Sequence, residues 1–425
     1  MSKKVCILTY GCPSNVADSE IMAGLLQRNG FGLVEDSEKS DLNIINTCTV
    51  KMPTEQRMIY KIKKLAETKK PLIVAGCMSL TNRKIIEEIV PQASVIGPHS
   101  IDKIVFAAIA AFQGRKAVSI GGGTKPKVCL PRLRKNSAIW IIPISSGCVS
   151  NCSYCSVKLA RGKLFSYPSD LIFKEANQAI QDKYKELYVT SQDNSCYGKD
   201  IGENLPDLLN RICKINGKFF IRVGMMNPSH TKGILGKLLV AYKNREIFKF
   251  MHLPVQSGSD EILKKMKREY EVEDFIEIVE KFRTYFPSIT IATDIIVGFP
   301  GETEEDFKMT VKLVKKIMPD VVNISKFGLR PGTEAEKMKQ LDRKVINRRS
   351  AFLHRLVKKI SLERNRRWVD WEGEILIDEK IEGGFVGRNF AYKPIVLKTK
   401  EDLFGKFVDM GIVDATPNCL IGNKL

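Results

Sequence analysis

The sequence lacks a long apolar run, a secretory signal and an excess of acidic residues. No stretch approaches the ~20 consecutive apolar residues that a bilayer-spanning helix needs. The apolar segment near the N-terminus is too short for a signal peptide and runs directly into patterned sequence. These absences argue against a membrane or secreted protein and predict a cytoplasmic one. In that reducing compartment the 11 cysteines favour metal or redox chemistry over disulfides.

Positive charge, by contrast, is abundant. Lys and Arg number 68 against 48 Asp and Glu, which gives a formal net charge of +20. Such an excess predicts a polyanionic partner, most simply nucleic acid. The length of 425 residues predicts two or three domains, and 44% hydrophobic residues are enough for their cores.

Three cysteines stand close together in the middle of the chain. Cys148, Cys152 and Cys155 follow the spacing C-x3-C-x2-C, just after an apolar run at 141–144 that predicts a buried strand. Three thiolates on one tight loop can bind three irons of a 4Fe–4S cube, which normally takes four cysteines. The fourth iron then keeps an open position, as metal sites that do chemistry commonly do.

A zinc site, a disulfide and chance clustering each account less well for this triad. A zinc knuckle needs a fourth Cys or His nearby, and no histidine occurs between Cys148 and His230. A disulfide is disfavoured by the reducing compartment. Chance is a poor explanation of this spacing, although a short motif stays a hypothesis until its context supports it.

The N-terminal segment, residues 3–112, alternates strand and helix patterns, which predicts a parallel sheet with helices on its faces. Cys12, Cys48 and Cys77 each follow one predicted strand, at the carboxyl edge where open α/β sheets bind ligands. Three separate loops can therefore supply three thiolates to a second cluster, again one ligand short. The alternative is three unrelated buried cysteines, which is how we interpret Cys6 inside its strand.

A linker is predicted at 113–137, where the periodicity breaks. The stretch 115–135 holds seven basic residues and no acidic one, and 121–123 are consecutive glycines. The segment is either a solvated tether or a contact to an RNA backbone, and the sequence favours neither.

The central segment, residues 138–336, predicts a partial (β/α)6 barrel whose strand ends line its mouth. Six strand patterns alternate with six helix patterns; the strands are predicted at 138–144, 186–191, 218–224, 247–253, 288–297 and 320–327, and the helices at 169–183, 204–215, 231–243, 259–268, 272–285 and 304–317. Polar motifs with Gly and Pro fall at five successive strand ends. Helix caps at Ser259 and Thr303 explain single motifs, but turns alone do not explain five in register.

The C-terminal part combines a basic helix with a short β unit. Residues 337–368 hold 12 Lys and Arg against 2 acidic residues. Apolar side chains recur there at helical spacing, which predicts an amphipathic helix whose basic face contacts phosphates; they are Val345, Phe352, Leu353, Leu356, Val357 and Ile360. Residues 369–425 are predicted to form short strands at 373–378, 384–386, 391–397 and 405–408. They hold 7 basic against 10 acidic residues.

Several motifs resemble known families. With Tyr154 before its third cysteine, the loop at 148–155 resembles the signature of radical S-adenosylmethionine (SAM) enzymes. Residues 10–15 (Tyr-Gly-Cys-Pro-Ser-Asn), with those at 18–20, 46–48 and 75–77, resemble the N-terminal domain of methylthiotransferases. Three further stretches are similar to the archaeal and eukaryotic methylthiotransferases that act on N6-threonylcarbamoyladenosine in tRNA; they lie at 130–135, 144–148 and 156–162. The resemblance covers the whole chain.

This resemblance implies an α/β protein with three parts: a parallel-sheet domain at 3–112, a radical SAM core at 138–336 and, after the basic helix at 337–368, a small TRAM β-barrel at 369–425. It implies two 4Fe–4S clusters, one on Cys148, Cys152 and Cys155 and one on Cys12, Cys48 and Cys77. SAM would bind the open iron of the first cluster. From their strand-end positions and the loop signature, the candidate SAM contacts are Tyr154, Gln192, Asp193, Arg222 and Gln256.

The implied reaction is radical-based methylthiolation of carbon 2 of N6-threonylcarbamoyladenosine, next to the anticodon. Its partners would be tRNA and an electron donor such as a flavodoxin or ferredoxin. Because the TRAM segment is acidic overall, its RNA binding would need shape or a local surface, for which the candidates are Arg388, Asn389, Phe390, Tyr392 and Lys393. Phe390 and Tyr392 are equally compatible with core positions.

Two alternative functions stay open at the level of sequence. Methylthiolation of a ribosomal protein shares the two-cluster plan, but the high positive charge disfavours it. A non-catalytic RNA-binding protein with redox-sensing clusters would not need the five polar motifs, and it predicts no cleavage of SAM.

Overall fold

Helices and strands alternate through most of the chain, and a run of strands follows the last helix. The computed structural model describes residues 2–50, 52–134 and 136–425. In these residues the strands are β1 (Lys4–Thr9), β2 (Gly32–Val34), β3 (Leu42–Thr47), β4 (Leu72–Gly76), β5 (Ser94–Ile96), β6 (Val118–Ser119), β7 (Ile139–Pro143), β8 (Ser145–Ser146), β9 (Phe165–Ser166), β10 (Glu186–Thr190), β11 (Phe220–Val223), β12 (Phe250–His252), β13 (Thr290–Val297), β14 (Val321–Lys326), β15 (Glu372–Ile381), β16 (Gly384–Arg388), β17 (Pro394–Lys398), β18 (Phe407–Ala415) and β19 (Leu420–Lys424).

The helices in the same residues are α1 (Pro13–Arg28), α2 (Met52–Glu67), α3 (Met78–Thr81), α4 (Arg83–Ile89), α5 (Ile104–Phe112), α6 (Val157–Arg161), α7 (Ser169–Gln181), α8 (Leu205–Ile212), α9 (Pro228–Ala241), α10 (Asp260–Lys265), α11 (Val272–Tyr285), α12 (Glu304–Ile317) and α13 (Arg343–Arg366). Short 3-10 helices occur at Ile101–Lys103, Asn194–Cys196 and Glu334–Lys337. Among the described helices, none combines the length and apolar character needed to cross a bilayer.

The chain divides into two compact units. The cysteine unit comprises Met1–Lys135, Ser145–Tyr167 and Gly328–Glu336. The sheet–barrel unit comprises Asn136–Ile144, Pro168–Phe327 and Lys337–Leu425. The loop that carries Cys148 therefore belongs to the same unit as the N-terminal sheet, although the two are distant in sequence. The linear domain boundaries drawn from the sequence stay predictions.

The cysteine unit is built on a parallel sheet of six strands in the order β2-β1-β3-β4-β5-β6. Strands β3 and β4 are buried along their whole length, and β4 is a continuous apolar run, as expected for a strand covered on both faces. Because the strands run parallel, the residues that follow them meet at one edge of the sheet. The sequence-based prediction missed β2, β5 and β6, which are too short to show a period.

The predicted linker is only partly a tether. Lys127 is 5% exposed, and its ammonium group donates to Asp18 Oδ1 at 2.6 Å and to the Pro98 carbonyl at 2.5 Å. Arg132 donates to the Lys127 carbonyl at 2.6 Å, and the Leu133 amide donates to the Glu20 carbonyl. Lys127 therefore fits neither a solvated tether nor a contact to RNA, because its ammonium group is buried and hydrogen-bonded inside the cysteine unit.

The sheet–barrel unit holds six parallel strands in two sheets, β11-β10-β7 and β12-β13-β14. Ile221 forms a parallel bridge with Ile247, and the Met226 amide donates to the His252 carbonyl. These bonds join β11 to β12, so the two sheets continue as one wall, with helices α7 to α12 in the connections. The predicted partial (β/α)6 barrel is confirmed.

The predicted caps lie where the sequence placed them. Ser259 Oγ accepts from the Ile262 amide at 3.4 Å at the start of α10. At the start of α12, Thr303 Oγ1 accepts from the Asp306 amide at 3.1 Å and Asp306 Oδ2 accepts from the Thr303 amide at 2.9 Å. This reciprocal capping box satisfies two amides that the helix leaves without partners.

Strands β15 to β19 form a closed barrel in the order β15-β16-β17-β19-β18. Its core is apolar and includes Ile375, Ile377, Ile395 and Met410, all 0% exposed. A small C-terminal β-barrel was predicted and is confirmed. The sequence-based prediction missed β19 and most of β18, since polar residues and glycines interrupt both patterns.

The loop between β16 and β17 fixes the closed barrel to the sheets of the same unit. Asn389 and Lys393 are 0% and 2% exposed. Lys393 Nζ donates to Asp320 Oδ1 at 2.8 Å, and the Tyr392 hydroxyl donates to Glu186 Oε1 at 3.1 Å. The prediction that Asn389, Tyr392 and Lys393 belong to an RNA-binding surface is therefore wrong, because these side chains pack against or bond to other residues of the same unit. Phe390 contacts the rings of Trp368 and Trp371.

Helix α13 is amphipathic, as predicted. Its inner face buries Ile346, Leu353 and Ile360. Its outer face exposes seven basic side chains, namely Arg343, Lys344, Arg348, Arg355, Lys358, Lys359 and Arg366. Arg349 turns inward and pairs with Glu302 at 2.7 Å. Phe352, predicted on the apolar face, is 43% exposed.

Candidate active site

Three loops at the carboxyl edge of the N-terminal sheet bring Cys12, Cys48 and Cys77 together. Cys12 follows β1, Cys48 follows β3 and Cys77 follows β4. A Cβ atom added to Gly11 would lie 2.5 Å from Cys48 Cβ and 2.8 Å from its Sγ. Because Gly11 has a φ of +106°, only glycine allows this turn and this approach. The sequence prediction that these cysteines converge is matched by their placement.

Polar neighbours in the same motifs hold the three loops in place. Asn15 Nδ2 donates to the Tyr10 and Thr47 carbonyls at 2.9 and 2.7 Å. The Thr47 carbonyl also accepts from the Cys77 amide at 3.0 Å, and Thr47 Oγ1 accepts from the Met78 amide at 3.2 Å. The loops after β1, β3 and β4 are thereby fixed to one another by buried hydrogen bonds.

Neighbouring thiols of the N-terminal triad act to raise the pKa values of Cys48 and Cys77. Burial, with the neighbouring Cys12 and Cys77, raises the pKa of the Cys48 thiol to about 12. Burial also raises the pKa of Cys77, while Arg161 acts to lower it. The buried thiols of Cys48 and Cys77 therefore resist ionisation. A bound cation removes that resistance, because metals bind the thiolate and neutralise its charge.

The second triad lies on one loop between β8 and α6. Cys148, Cys152 and Cys155 are each partly buried, as is Tyr154. The Cys148 amide donates to the Gly162 carbonyl at 3.2 Å, and the Cys155 amide donates to the Cys152 carbonyl at 3.1 Å. Lys158 Nζ donates to the Val149 and Ser150 carbonyls, both at 3.0 Å. The loop is therefore held in shape by its own backbone and by one lysine.

Arg330 lies between the two triads. Its guanidinium donates to Glu55 Oε2 at 2.6 Å and to the Val50 carbonyl at 3.1 Å, and the residue is 7% exposed. Burial lowers the pKa of Arg330, whereas Glu55 and the thiolates of Cys48 and Cys155 act to raise it. One cation is thus close to a cysteine of each triad, which places the two triads near each other within the cysteine unit.

Arg161 at the end of α6 forms a second buried link. It is 2% exposed and donates to Asn15 Oδ1 at 2.7 Å, to Asp18 Oδ2 at 2.8 Å and to the sulfur of Cys77. Burial acts to raise the pKa of Asp18, but the charges of Lys127 and Arg161 outweigh it and the pKa is lowered. Asp18 is therefore ionised between two cations.

In the sheet–barrel unit, Gln192 and Gln256 lie at strand ends. Gln192 follows β10 and is partly buried. Gln256 is 8% exposed and has a φ of +67°, which is uncommon for a residue with a side chain and is found preferentially at functional sites. Its amide donates to the Asp294 carbonyl at 2.8 Å, so the backbone of β13 holds it in that conformation.

Asp193 and Arg222 have protein partners instead. Asp193 Oδ1 accepts from the Ser195 and Asn227 amides, each at 3.0 Å. The Arg222 guanidinium lies 3.9 Å from the centre of the Tyr188 ring and 5.2 Å from that of Tyr392. Both side chains thus make contacts within the sheet–barrel unit. Their assignment as SAM contacts stays a prediction.

A further group of metal-binding residue types surrounds Asp193. Potential ligand atoms of Asp193, Cys196 and His230 lie within 4.8 Å of one another. Cys196 Sγ donates to Asp193 Oδ2 at 3.0 Å, and Lys199 Nζ lies 3.0 Å from His230 Nδ1. An ammonium group beside the imidazole disfavours a metal ion. We interpret the group as a hydrogen-bonded clamp between the loops after β10 and β11.

Sequence reasoning missed four charged residues of this site, namely Arg161, Asp18, Lys127 and Arg330. All four are buried, yet burial of a charge on a helix or loop has no local signature. The available signal was adjacency, since Asp18 lies in the first motif and Arg161 follows the third cysteine of the loop.

Two family models match the chain. The model described as Radical SAM superfamily matches residues 142–314, and the model described as Uncharacterized protein family UPF0004 matches residues 4–97. Among solved structures, the radical SAM methyltransferase TsrM from Kitasatospora setae is 16% identical with a TM-score of 0.57, covering 79% of this chain and 75% of TsrM. That likeness shows the fold.

Curated relatives match nearly the whole chain. The probable threonylcarbamoyladenosine tRNA methylthiotransferase of Pyrococcus horikoshii is 44% identical over 423 residues, covering 99% of both chains. The threonylcarbamoyladenosine tRNA methylthiotransferase of Homo sapiens is 35% identical over 434 residues, covering 100% of this chain and 74% of the human protein. The radical SAM domain implies a 4Fe–4S cluster and SAM. The chain belongs to the threonylcarbamoyladenosine tRNA methylthiotransferase family of radical SAM enzymes.

Proposed function

We propose that this protein is a tRNA methylthiotransferase that replaces the hydrogen on carbon 2 of N6-threonylcarbamoyladenosine, next to the anticodon, with a methylthio group. The observation that carries the proposal is the convergence of Cys12, Cys48 and Cys77 in the unit that also holds Cys148, Cys152 and Cys155. A radical SAM enzyme that transfers sulfur needs a second site for the sulfur, and the N-terminal triad supplies one.

We assign the six cysteines as ligands of two 4Fe–4S clusters, three to each. The donor set fits, because thiolates are the usual ligands of such clusters and three per cube leave one iron open. The glycine before Cys12 allows this loop to approach Cys48 more closely than any residue with a side chain could. Tyr154, Gln192, Asp193, Arg222 and Gln256 stay the candidates for SAM contacts. Tyr154 is assigned from the loop pattern, and the other four from their strand-end positions.

When bound, the cluster on Cys148, Cys152 and Cys155 and SAM supply the radical that removes hydrogen from an unactivated carbon, and the N-terminal cluster supplies the sulfur. The residues of the chain position and shield these groups. Asn15 and Thr47 fix the three strand-end loops, Lys158 fixes the loop at 148–155, and Arg330 joins them. Burial of the N-terminal triad, where Cys48 and Cys77 are 4% and 3% exposed, keeps water from that site.

The tRNA surface that we propose is the outer face of α13. Its seven exposed basic side chains can neutralise phosphates along an RNA backbone without reading sequence. The closed barrel carries more acidic than basic residues, and we give it a secondary role through shape. The electron donor that we expect is a small acidic redox protein such as a flavodoxin or ferredoxin, since the chain carries a net charge of +20.

The test is product analysis under anaerobic conditions. The reconstituted protein is incubated with SAM, a reductant and tRNA that carries N6-threonylcarbamoyladenosine, and the digested nucleosides are analysed by mass spectrometry. The proposal expects the mass of a methylthio group in place of hydrogen on that nucleoside. A matched tRNA with unmodified adenosine at the same position should give no product.

Three different outcomes would contradict the proposal in identifiable ways. Methylthiolation of a ribosomal protein, with tRNA unchanged, would identify the sister reaction. Tight RNA binding without any cleavage of SAM would identify a non-catalytic iron–sulfur protein. Cleavage of SAM without methylthiolation of either substrate would leave a radical enzyme with a different product.

A further inference from the structure

Arg161 links the N-terminal triad to the helix that follows the loop at 148–155. It ends α6, which begins two residues after Cys155, and its guanidinium donates to the sulfur of Cys77. Its carbonyl oxygen lies 3.0 Å from His99 Nε2. The side chain and backbone of Arg161 are thus both fixed by residues of the N-terminal segment.

The charges in this buried group do not cancel. Arg161 carries one positive charge and donates to Asp18, which carries one negative charge. Burial lowers the pKa of Lys127, but its ammonium group also donates to Asp18, and that carboxylate acts to keep it ionised. Burial, together with Lys127 and Arg161, lowers the pKa of His99, so its imidazole is neutral at pH 7. The three ionised side chains therefore leave one positive charge, and a charge taken out of water needs a partner.

The N-terminal triad offers a partner of the right sign. Three thiolates outweigh the two positive charges of an oxidised 4Fe–4S core by one negative charge. An anionic sulfur ligand at the open iron adds another, and reduction adds a third. Net charge and hydrogen bonds to the sulfurs are among the factors that set the reduction potential of such clusters. Arg161 contributes both, because it is a cation and it donates to Cys77.

We propose that Arg161 is a positioning residue that balances the negative charge of the N-terminal cluster, favouring its reduction and the binding of an anionic sulfur ligand such as hydrosulfide. This rests on the proposed function, since it requires a cluster on Cys12, Cys48 and Cys77. Asp18 opposes the effect of Arg161, and Lys127 supports it by taking part of the charge of Asp18. The net charge is set by residues distant in sequence. Arg161→Gln lowers it from one to zero, and Asp18→Asn raises it from one to two.

The test uses the full-length chain with Cys148, Cys152 and Cys155 replaced by alanine, so that only the N-terminal cluster can assemble. Iron and sulfide content is measured first. The reduction potential is then measured by titration followed by electron paramagnetic resonance, and the affinity for hydrosulfide by the change in that spectrum. Neither readout depends on turnover.

Arg161→Gln should lower the reduction potential. It should also weaken hydrosulfide binding by about tenfold, which is the order expected for one charge acting through partly buried protein. Arg161→Lys keeps the charge and should stay closer to the parent. Asp18→Asn removes the opposing charge and should raise the potential. Arg57→Gln removes the same charge from the exposed face of α2 and should leave both readouts unchanged.

Opposite shifts in Arg161→Gln and Asp18→Asn are the signature that mere loosening of the site cannot give. Shifts of the same sign, or no shift in a variant with full iron content, would overturn the inference while leaving the N-terminal cluster in place. Loss of the cluster from all three variants at Arg161 and Asp18 would also overturn it, because these residues would then stabilise the fold of the site and not balance the charge of the cluster. Absence of iron from the parent itself would instead sink the proposed function.

Discussion

The two units of the molecule use charge in different ways. In the cysteine unit the charged side chains of Arg161, Lys127, Asp18 and Arg330 are buried. Arg161 and Lys127 donate to Asp18, and Arg330 donates to Glu55. In the sheet–barrel unit seven basic side chains are exposed on the outer face of α13. Buried charge acts on one nearby site with a fixed geometry. Exposed charge acts by number on a long polyanion.

The largest effects are expected when the cysteines of each triad are replaced in turn. Replacing Cys12, Cys48 and Cys77 by alanine should abolish methylthio transfer while reductive cleavage of SAM continues. Replacing Cys148, Cys152 and Cys155 should abolish both, because cleavage requires the open iron of that cluster. Formation of 5′-deoxyadenosine and of modified nucleoside is measured in each variant. Equal loss of SAM cleavage in both variants would contradict separate roles.

The buried charges of the cysteine unit can be tested through stability. Asp18→Asn leaves Arg161 and Lys127 without their shared carboxylate, and breaking a buried pair typically costs about 3–5 kcal/mol. The free energy of unfolding is measured by anaerobic denaturant titration of the apoprotein. Glu88→Gln on the exposed face of α4 is the control, expected within about 0.5 kcal/mol of the parent. Similar values for the two variants would mean that Asp18 is not the partner of both cations.

The exposed charges of α13 should act additively and respond to salt. The double variant Lys358→Gln with Lys359→Gln should weaken tRNA binding by about tenfold and reduce the salt slope of log K by about 1.8, for two phosphate contacts. The matched double variant Lys398→Gln with Lys400→Gln changes the same charge on the exposed surface of the closed barrel. Equal effects of both doubles would place the RNA on both surfaces and remove the distinction.

The last prediction concerns the joint between the sheets and the closed barrel. Burial, with the nearby Asp378, raises the pKa of Glu186 from 4.5 to about 8. Since the folded pKa lies above the unfolded one, the stability that Glu186 contributes is present below pH 4.5 and is lost as the pH rises to about 8. Glu186→Gln should flatten this part of the stability profile.

That prediction is measured as the free energy of unfolding between about pH 5 and pH 8, where Glu280→Gln on the exposed face of α11 serves as the control. A parent profile that does not fall across this range, or a Glu186→Gln profile as steep as that of the parent, would show that Glu186 is not the titrating group. If the Glu186→Gln profile is as steep as that of the parent, another group such as Asp378 causes the pH dependence of stability.

The fold could be predicted where periodicity was long and local. The six strands of the (β/α) sheets and their helices were recognised from the sequence, as was the amphipathic pattern of α13. Strands β2, β5 and β6 have only three, three and two residues and carry no period of their own. The loop holding Asn389 and Lys393 was misassigned because alternation of residue types does not tell which face of a small barrel packs on a neighbour.

The two triads show the same limit at the site. The spacing of Cys148, Cys152 and Cys155 is a local pattern, so sequence alone is enough to find it. Cys12, Cys48 and Cys77 could be grouped only through the rule that parallel strands end at one edge. The contacts of Arg161 with Asp18 and Asn15 join residues 143 and 146 positions apart, and no local rule connects them.

The central claim is that Cys12, Cys48 and Cys77 hold a second cluster. The most direct measurement is the iron and sulfide content of the anaerobically reconstituted parent and of the variant with these three cysteines replaced by alanine. We expect about eight irons in the parent and about four in the variant, as for two cubes held by separate triads. About four irons in both proteins would contradict the account, because the triad at 148–155 would then hold all the iron.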